Sequence, residues 1–231
     1  MDRQFDLQLE KLKRRILKMC SLVDEQVELA IKVIEEDNSS LIDIVLEKEK
    51  KVDKYDLKID KICQKIFALN QPVAMDLRLI MSALTINNNL ERMGDLAVNI
   101  VENYKKFGKK PEWISKTNFS KMAELVREMI RNSIDSFIQE DAKLAKKVIE
   151  TDETLDEYNR ENHKILIDMM KENPENIQSG VALLDISKQI ERLGDHATNI
   201  AEDVYFIVEA RMVKHKYEKL FFSEDTEEDE D

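Results

Sequence analysis

A ten-residue phrase occurs twice in this chain, 100 residues apart: ERMGDLAVNI at 91–100 and ERLGDHATNI at 191–200. Seven positions are identical, namely Glu91/Glu191, Arg92/Arg192, Gly94/Gly194, Asp95/Asp195, Ala97/Ala197, Asn99/Asn199 and Ile100/Ile200. Both copies run on to an acidic residue, Glu102 and Glu202. Upstream the halves match at an offset of 103: Ile31 with Ile134, Leu41 with Leu144, Glu47 with Glu150, Asp53 with Asp156, Tyr55 with Tyr158. The change of offset requires a difference of three residues between the matched segments, in the turn before the third or the sixth helix. A chain that repeats itself at this length builds one unit twice.

The unit is helical. Of 231 residues only 4 are Gly and 3 Pro, so turns are few, and charged residues (36%) far outnumber aromatic ones (6%). Leu9, Leu12, Ile16, Met19, Val23, Val27, Ala30 and Ile34 step by threes and fours, the seam of a bundle helix over about 5–36. Asp37-Asn38-Ser39-Ser40 supplies a turn and an N-cap. A second helix then runs to about Leu69, and a third from near Pro72 to Gly108. Three more follow, over about 119–139, to about Lys171, and from about Glu175 beyond Met212. The reading is all-α: two tandem antiparallel three-helix bundles related by internal duplication, with six long helices. The bundles span 1–108 and 119–218, joined by a linker at 109–118 and followed by an acidic tail at 219–231 expected to be disordered.

The net charge of −12 argues against nucleic acid as a partner and for cations or basic protein surfaces. Cys20 and Cys63 sit at core spacing and read as buried thiols of a reducing compartment. No leader and no membrane-spanning run is evident, which predicts a cytoplasmic protein without membrane insertion.

The repeated phrase is too polar to be plain core. On a helical wheel Asp95, Asn99 and Glu102 fall within about 80° of Glu91, on the side that holds Leu77, Ile80 and Leu84. The sixth helix repeats this with Glu191, Asp195, Asn199 and Glu202 below Ile177 and Leu184. Glu49/Asp53 and Asp152/Asp156 make the same acidic pair on the second and fifth helices. Farther along those faces come Asp56 and Asp60, or Asn159 and His163. Charges four apart are common on solvated helix faces, so one such pair means little; four at equivalent places in a duplicated unit mean more. Each pair is mildly self-repulsive even in water, and burying it uncompensated costs several kcal/mol. The arginines that follow each motif glutamate point about 100° away on the wheel and, with Arg78 and Lys188, are too few, whereas a bound cation neutralises such pairs well. The metal candidates are therefore Glu49, Asp53, Glu91, Asp95, Asn99, Glu102, Asp152, Asp156, Glu191, Asp195, Asn199 and Glu202, with Asp56, Asp60 and His163 as further donors. An oxygen set suits magnesium, calcium, manganese or iron over a thiolate zinc site. Gly94 and Gly194, costly inside a helix, suggest close approach of another helix or of a cluster.

The two phrases, the segment Pro72-Val73-Ala74-Met75-Asp76-Leu77-Arg78 and the duplicated six-helix layout resemble the PhoU family of phosphate-uptake regulators, over about residues 5–215. The resemblance implies a cytoplasmic, commonly homodimeric repressor of phosphate-starvation signalling. It implies an adaptor between the phosphate ABC transporter and a sensor histidine kinase. It also implies multinuclear metal clusters, often iron, on Glu49/Asp53, Glu91/Asp95, Asp152/Asp156 and Glu191/Asp195; manganese, magnesium, calcium and zinc are the other occupants the donor set leaves open. The acidic tail departs from the family core, and the second half has no counterpart of Asp76-Leu77-Arg78, so the two sites need not be equal. Nothing resembles a nucleophile with its base, a P-loop or a nucleotide fingerprint, which favours a protein that is not an enzyme. A carboxylate-bridged metalloenzyme and a metal-free helical scaffold are the alternatives.

Overall fold

The computed structural model describes residues 3–107 and 110–211. Among these, six long helices account for almost the whole chain: α1 Arg3–Glu35, α2 Ile42–Leu69, α3 Ala74–Phe107, α4 Phe119–Gln139, α5 Ala142–Glu172 and α6 Ile177–Glu209. Short 3₁₀ turns at Ser39–Leu41, Glu112–Lys116 and Pro174–Asn176 make the corners. Asn38 caps the first, its Oδ1 accepting from Ser40 N at 3.2 Å. Asp141 caps α5, accepting from Lys143 N and Leu144 N.

Helices α1, α2 and α3 pack on one another as one bundle, and α4, α5 and α6 as the other. The bundles lie side by side. Their shared wall is α3 against α6, the most extensive helix pair in the molecule, with α1 against α4 as a second contact. The wall is antiparallel: Asn89 meets His196, while Gln178 near the start of α6 reaches the Lys106 carbonyl near the end of α3. Ion pairs Lys13–Glu140, Arg131–Asp24 and Arg127–Glu35 run the α1–α4 contact antiparallel as well.

The core follows the expected stripe on α1 from Leu12 through Ile34. On α3 the buried face is Ile80, Ala83, Ile86, Leu90, Met93, Ala97, Ile100 and Val101, and on α6 Leu183, Ile186, Ile190, Leu193, Ala197, Ile200, Ala201 and Val204. Cys20 and Cys63 are buried free thiols, as their spacing predicts. Helix α6 stops earlier than its periodicity suggests. It ends at Glu209, where Ala210 turns left-handed at φ 56° and its N–H bonds back to Phe206. Ile177, placed on the core side by the wheel, is half exposed. Gly108, Met212 and the acidic stretch 219–231 lie outside the described residues. No helix among the described residues is long and apolar enough to cross a membrane.

One buried polar network fixes the start of the second bundle. Asn162 of α5 is fully buried; its Oδ1 accepts from Asn118 N at 2.7 Å and its Nδ2 donates to Ser187 Oγ of α6 at 3.2 Å. It closes an otherwise orphaned amide at the head of α4, which is why an asparagine stands in an apolar seam there.

Candidate functional site

The acidic residues flank the core stripe of α3 and α6 instead of replacing it. The apolar face continues unbroken past the phrase, and Glu91, Asp95, Glu191 and Asp195 run along its edge, half-buried. This corrects the wheel, on which the apolar seam turned acidic. Asn99, Glu102 and Asn199 are exposed, and Glu202 is half-buried. On the facing helices Glu49 and Asp156 are half-buried, Asp53 is exposed and Asp152 is buried, with Thr198 Oγ1 of α6 donating to it at 3.3 Å.

Opposing helices bring the carboxylates of each half into one electrostatic neighbourhood. Glu49 on α2 is pushed up to about 7, first by burial and then by Asp95, Asp53 and Glu91, against the pull of a bond from Gln26. Glu191 on α6 is pushed up to about 7 by burial and by Asp195, Asp156 and Asp152, with Lys188 opposing. Glu91 is raised in the same way, by burial and then Asp95. Both halves therefore hold carboxylates that resist charging together. Arg92 answers part of this. It reaches Glu91 at 3.5 Å and Asp95 at 3.3 Å, although the wheel pointed it away. The guanidinium sits at the end of a long stem and need not follow its Cα–Cβ bond.

The donor set in each half is oxygen throughout, which suits a hard cation by type. In this arrangement no three His, Cys, Asp or Glu side chains are gathered at metal-holding distances among the described residues. A cation would have to draw the carboxylates of α2 and α3, or of α5 and α6, toward each other. The room to do so is present at Gly94, where a Cβ would stand 2.7 Å from Glu49 Oε2. The glycine lets that carboxylate lie against the α3 backbone. Gly194 has another use: a Cβ there would stand 2.3 Å from Leu155 Cδ2, so the second glycine admits an apolar side chain of α5.

Farther along α2, Asp56 and Asp60 share an amide. Asn87 Nδ2 of α3 donates to Asp56 Oδ1 at 2.7 Å and Asp60 Oδ1 at 3.2 Å. Burial and the neighbouring Asp60 raise Asp56. In the second half Asn159 and His163 stand in their places. Ser187 Oγ donates to Asn159 Oδ1 at 2.8 Å, and His163 Nδ1 lies 3.0 Å from the Asn159 carbonyl on its own helix. His196 sits in the α3–α6 wall, Nδ1 2.8 Å from Asn89 Oδ1, its pKa lowered by burial and then by Arg192 and Arg92.

Two further polar residues carry no signal in the repeat. Gln26 of α1 is fully buried, and its Nε2 donates to Glu49 Oε2 at 2.6 Å and to the Gly94 carbonyl at 3.3 Å. Asp203 of α6, one step past Glu202, is pushed up to about 7 by burial, with a bond from Thr85 opposing. Asp203 lies one residue beyond the repeated pattern, and a lone glutamine inside an apolar stripe gives no sign of its partner.

Comparison with known proteins agrees with this duplicated architecture. The PhoU domain model matches residues 16–104 and 119–204, one copy per bundle. A phosphate-specific transport system accessory protein PhoU homolog of Aquifex aeolicus is 37% identical over 92% of this chain and 96% of its own length. A homolog from Pseudomonas putida is 33% identical over 92% of this chain and 83% of its own. The crystal structure of PhoU from Pseudomonas aeruginosa superposes with a TM-score of 0.86 at 31% identity, covering 90% of this chain and all of that one. With both bundles matched and the repeated acidic phrase in each, the chain belongs to the PhoU family.

Proposed function

We infer that the protein is an accessory regulator of phosphate uptake and phosphate-starvation signalling. It acts as a non-enzymatic adaptor between the phosphate ABC transporter and a sensor histidine kinase, in the cytoplasm and as a homodimer. The names of its relatives support the transport role: accessory protein of a phosphate-specific transport system in Aquifex aeolicus, and phosphate transport system regulatory protein in Streptococcus pneumoniae. In each bundle the paired carboxylates hold hard metal ions, iron foremost, with Glu49, Asp53, Glu91 and Asp95 in one half and Asp152, Asp156, Glu191 and Asp195 in the other.

The observation that supports the metal reading is that acidic side chains of two facing helices meet in each half, Glu49 with Asp95, Asp53 and Glu91 in one and Glu191 with Asp195, Asp156 and Asp152 in the other, where burial and mutual repulsion push Glu49 and Glu191 up. A cation relieves that repulsion and ties helix to helix, so its role is to fix the surface the bundles present. The metal-free scaffold is the second reading, favoured by Arg92, which already pairs with Glu91 and Asp95.

Elemental analysis of untagged protein, wild type and Asp95→Ala/Asp195→Ala, separates the two. Metal equivalents present in wild type and lost in the double variant support the cation reading; none in either, at full helicity, supports the scaffold. Binding of chelated and reloaded protein to membranes carrying the transporter tests the adaptor role. Unchanged affinity after chelation would refute a metal-fixed docking surface.

A further inference from the structure

We propose that the acidic stretch 223–231 docks, within its own chain, in a basic groove between α1 and α2 of the first bundle. The groove has a volume of about 510 Å³ and is lined by Lys18 and Leu22 of α1 and by Lys51, Lys54, Tyr55 and Lys58 of α2. Its one carboxylate, Glu25, is taken by Lys48. The Tyr55 ring holds Lys58 Nζ at 5.3 Å and the Arg15 guanidinium at 5.7 Å. Lys18, Lys51 and Lys54 are exposed and form no ion pair among the described residues. Cations gathered along one groove repel each other, and an anion laid among them relieves that repulsion.

The repeat shows that this charge belongs to one bundle alone. Lys18 and Tyr55 have their counterparts in Lys121 and Tyr158, and Lys121 Nζ lies over the Tyr158 ring at 5.4 Å. The other cations are gone. Lys51, Lys54 and Lys58 correspond to Thr154, Glu157 and Glu161, and Ser21 corresponds to Glu124. The two halves keep the aromatic floor and reverse the sign of the walls. A face that only needed to be soluble could carry either sign in both halves, so the lysines of α2 point to an anionic occupant of the first bundle.

The chain supplies that anion itself. Residues 223–231, SEDTEEDED, hold seven acids in nine positions, a block of the kind that serves as an interaction tail. The fold brings it within reach. Ile207 and Val208, at the end of α6, share a pocket with Leu9, Glu10 and Lys13 of α1. From the level of Leu9, Lys18 lies about 14 Å along α1, and the level of Glu25, where Lys48 of α2 meets it, about 24 Å. Residues 212–222 can span up to about 36–40 Å, enough to reach either. Tethering raises the effective concentration of the acids to about millimolar, so ion pairs that are individually weak suffice to hold them.

The test is zero-length carbodiimide cross-linking of the full chain, read by mass spectrometry. Unlabelled and ¹⁵N-labelled chains are unfolded and refolded together, so that bonds within a chain and between chains have different masses. At about 0.1 M salt the carboxylates of 224–231 should join Lys18, Lys51, Lys54 or Lys58 of the same chain. They should do so several-fold more often than they join Lys13, or Lys143 just past Glu140, although both stand nearer the end of α6. The preference should vanish at 1 M salt, where the screening length falls to about 3 Å. In Lys51→Gln/Lys54→Gln/Lys58→Gln, Lys18 remains as reporter and its cross-links to 224–231 should fall several-fold. In a full chain whose seven acids at 224–231 are changed to their amides, Lys51, Lys54 and Lys58 should acylate roughly 3–10-fold faster, with Lys121 unchanged. Cross-links spread evenly over the exposed lysines of both bundles, or indifferent to salt, would overturn the proposal, as would equal acylation with and without the acids. Cross-links found only between chains of different mass would overturn docking within one chain.

Discussion

Gly94→Ala and Gly194→Ala are the same substitution at the same place in the repeat, and the structure predicts opposite outcomes. Each gains about 1 kcal/mol of helix propensity. At 194 the new methyl would stand 2.3 Å from Leu155 Cδ2, well inside the ordinary carbon contact of about 3.5–4.0 Å. Leu155 is fully buried, so it can retreat only by moving its neighbours. Overpacking of this kind costs roughly 1–3 kcal/mol, which leaves Gly194→Ala less stable by about 1 kcal/mol. For a chain of this size that is a loss of about 2–4 °C in Tm. At 94 the obstacle is Glu49 Oε2 at 2.7 Å, the free end of a half-buried side chain. The carboxylate can swing to water. It gives up the Gln26 bond, worth about 1.5–3 kcal/mol, and recovers hydration of a comparable size. Gly94→Ala should therefore hold or raise the stability of metal-free protein at pH 8. Urea unfolding followed by circular dichroism, with Leu155→Val added to Gly194→Ala as a rescue, measures both. A Gly194→Ala protein more stable than wild type, or a Gly94→Ala protein less stable by 2 kcal/mol or more, would refute the assignment of the two cradles.

Glu49 and Glu191 have folded pKa values raised from 4.5 to about 7. Their favourable contribution is complete below pH 4.5 and lost as pH rises through 7, so metal-free protein should lose stability between pH 5 and pH 8. With partial solvent access allowed for, we expect about 1–2 kcal/mol per site, flattened by Glu49→Gln/Glu191→Gln in urea titrations. Cys20 and Cys63 are buried and pushed up to about 12 by desolvation, so a thiol reagent at pH 8 should label them only at the unfolding rate; fast labelling of native protein would contradict their burial. Asn162→Leu should destabilise by about 2 kcal/mol, because it strands the Asn118 amide, with the loss read by urea unfolding. Trp113, the single tryptophan, donates from Nε1 to Asn176 Oδ1 at 3.0 Å, so Asn176→Ala should change its emission spectrum without loss of helicity.

The helices were legible because period and punctuation agree. The stretch 37–40 makes the turn expected of it, with Asn38 capping the 3₁₀ turn that leads into α2, and α4 begins and ends at Phe119 and Gln139 as read from its seam. Two things were not. The end of α6 rests on Ala210 in a left-handed turn, a conformation that usually announces itself with Gly or Asn. The polar lining of the first seam depends on Gln26 and Asn87, each a single amide inside an apolar stripe. Their meaning lies in which helix stands opposite, and periodicity along one helix does not contain that. The wheel also set the carboxylates on the core face, because it fixes direction to within a few tens of degrees. That is the angular width that separates core from edge.

The antiparallel pairing of α3 with α6 has a historical reading. The same helix from each half meets its copy, which is the form of an isologous interface between two identical subunits. In such an ancestor every residue was present on both sides, so a glutamine at one cradle meant a glutamine at the other. Two copies joined in one chain through the linker at 109–118 carry no such constraint, and here one cradle holds oxygen atoms and the other carbon. The single chain is a dimer freed from having to be symmetric, and its two halves can specialise without a second gene.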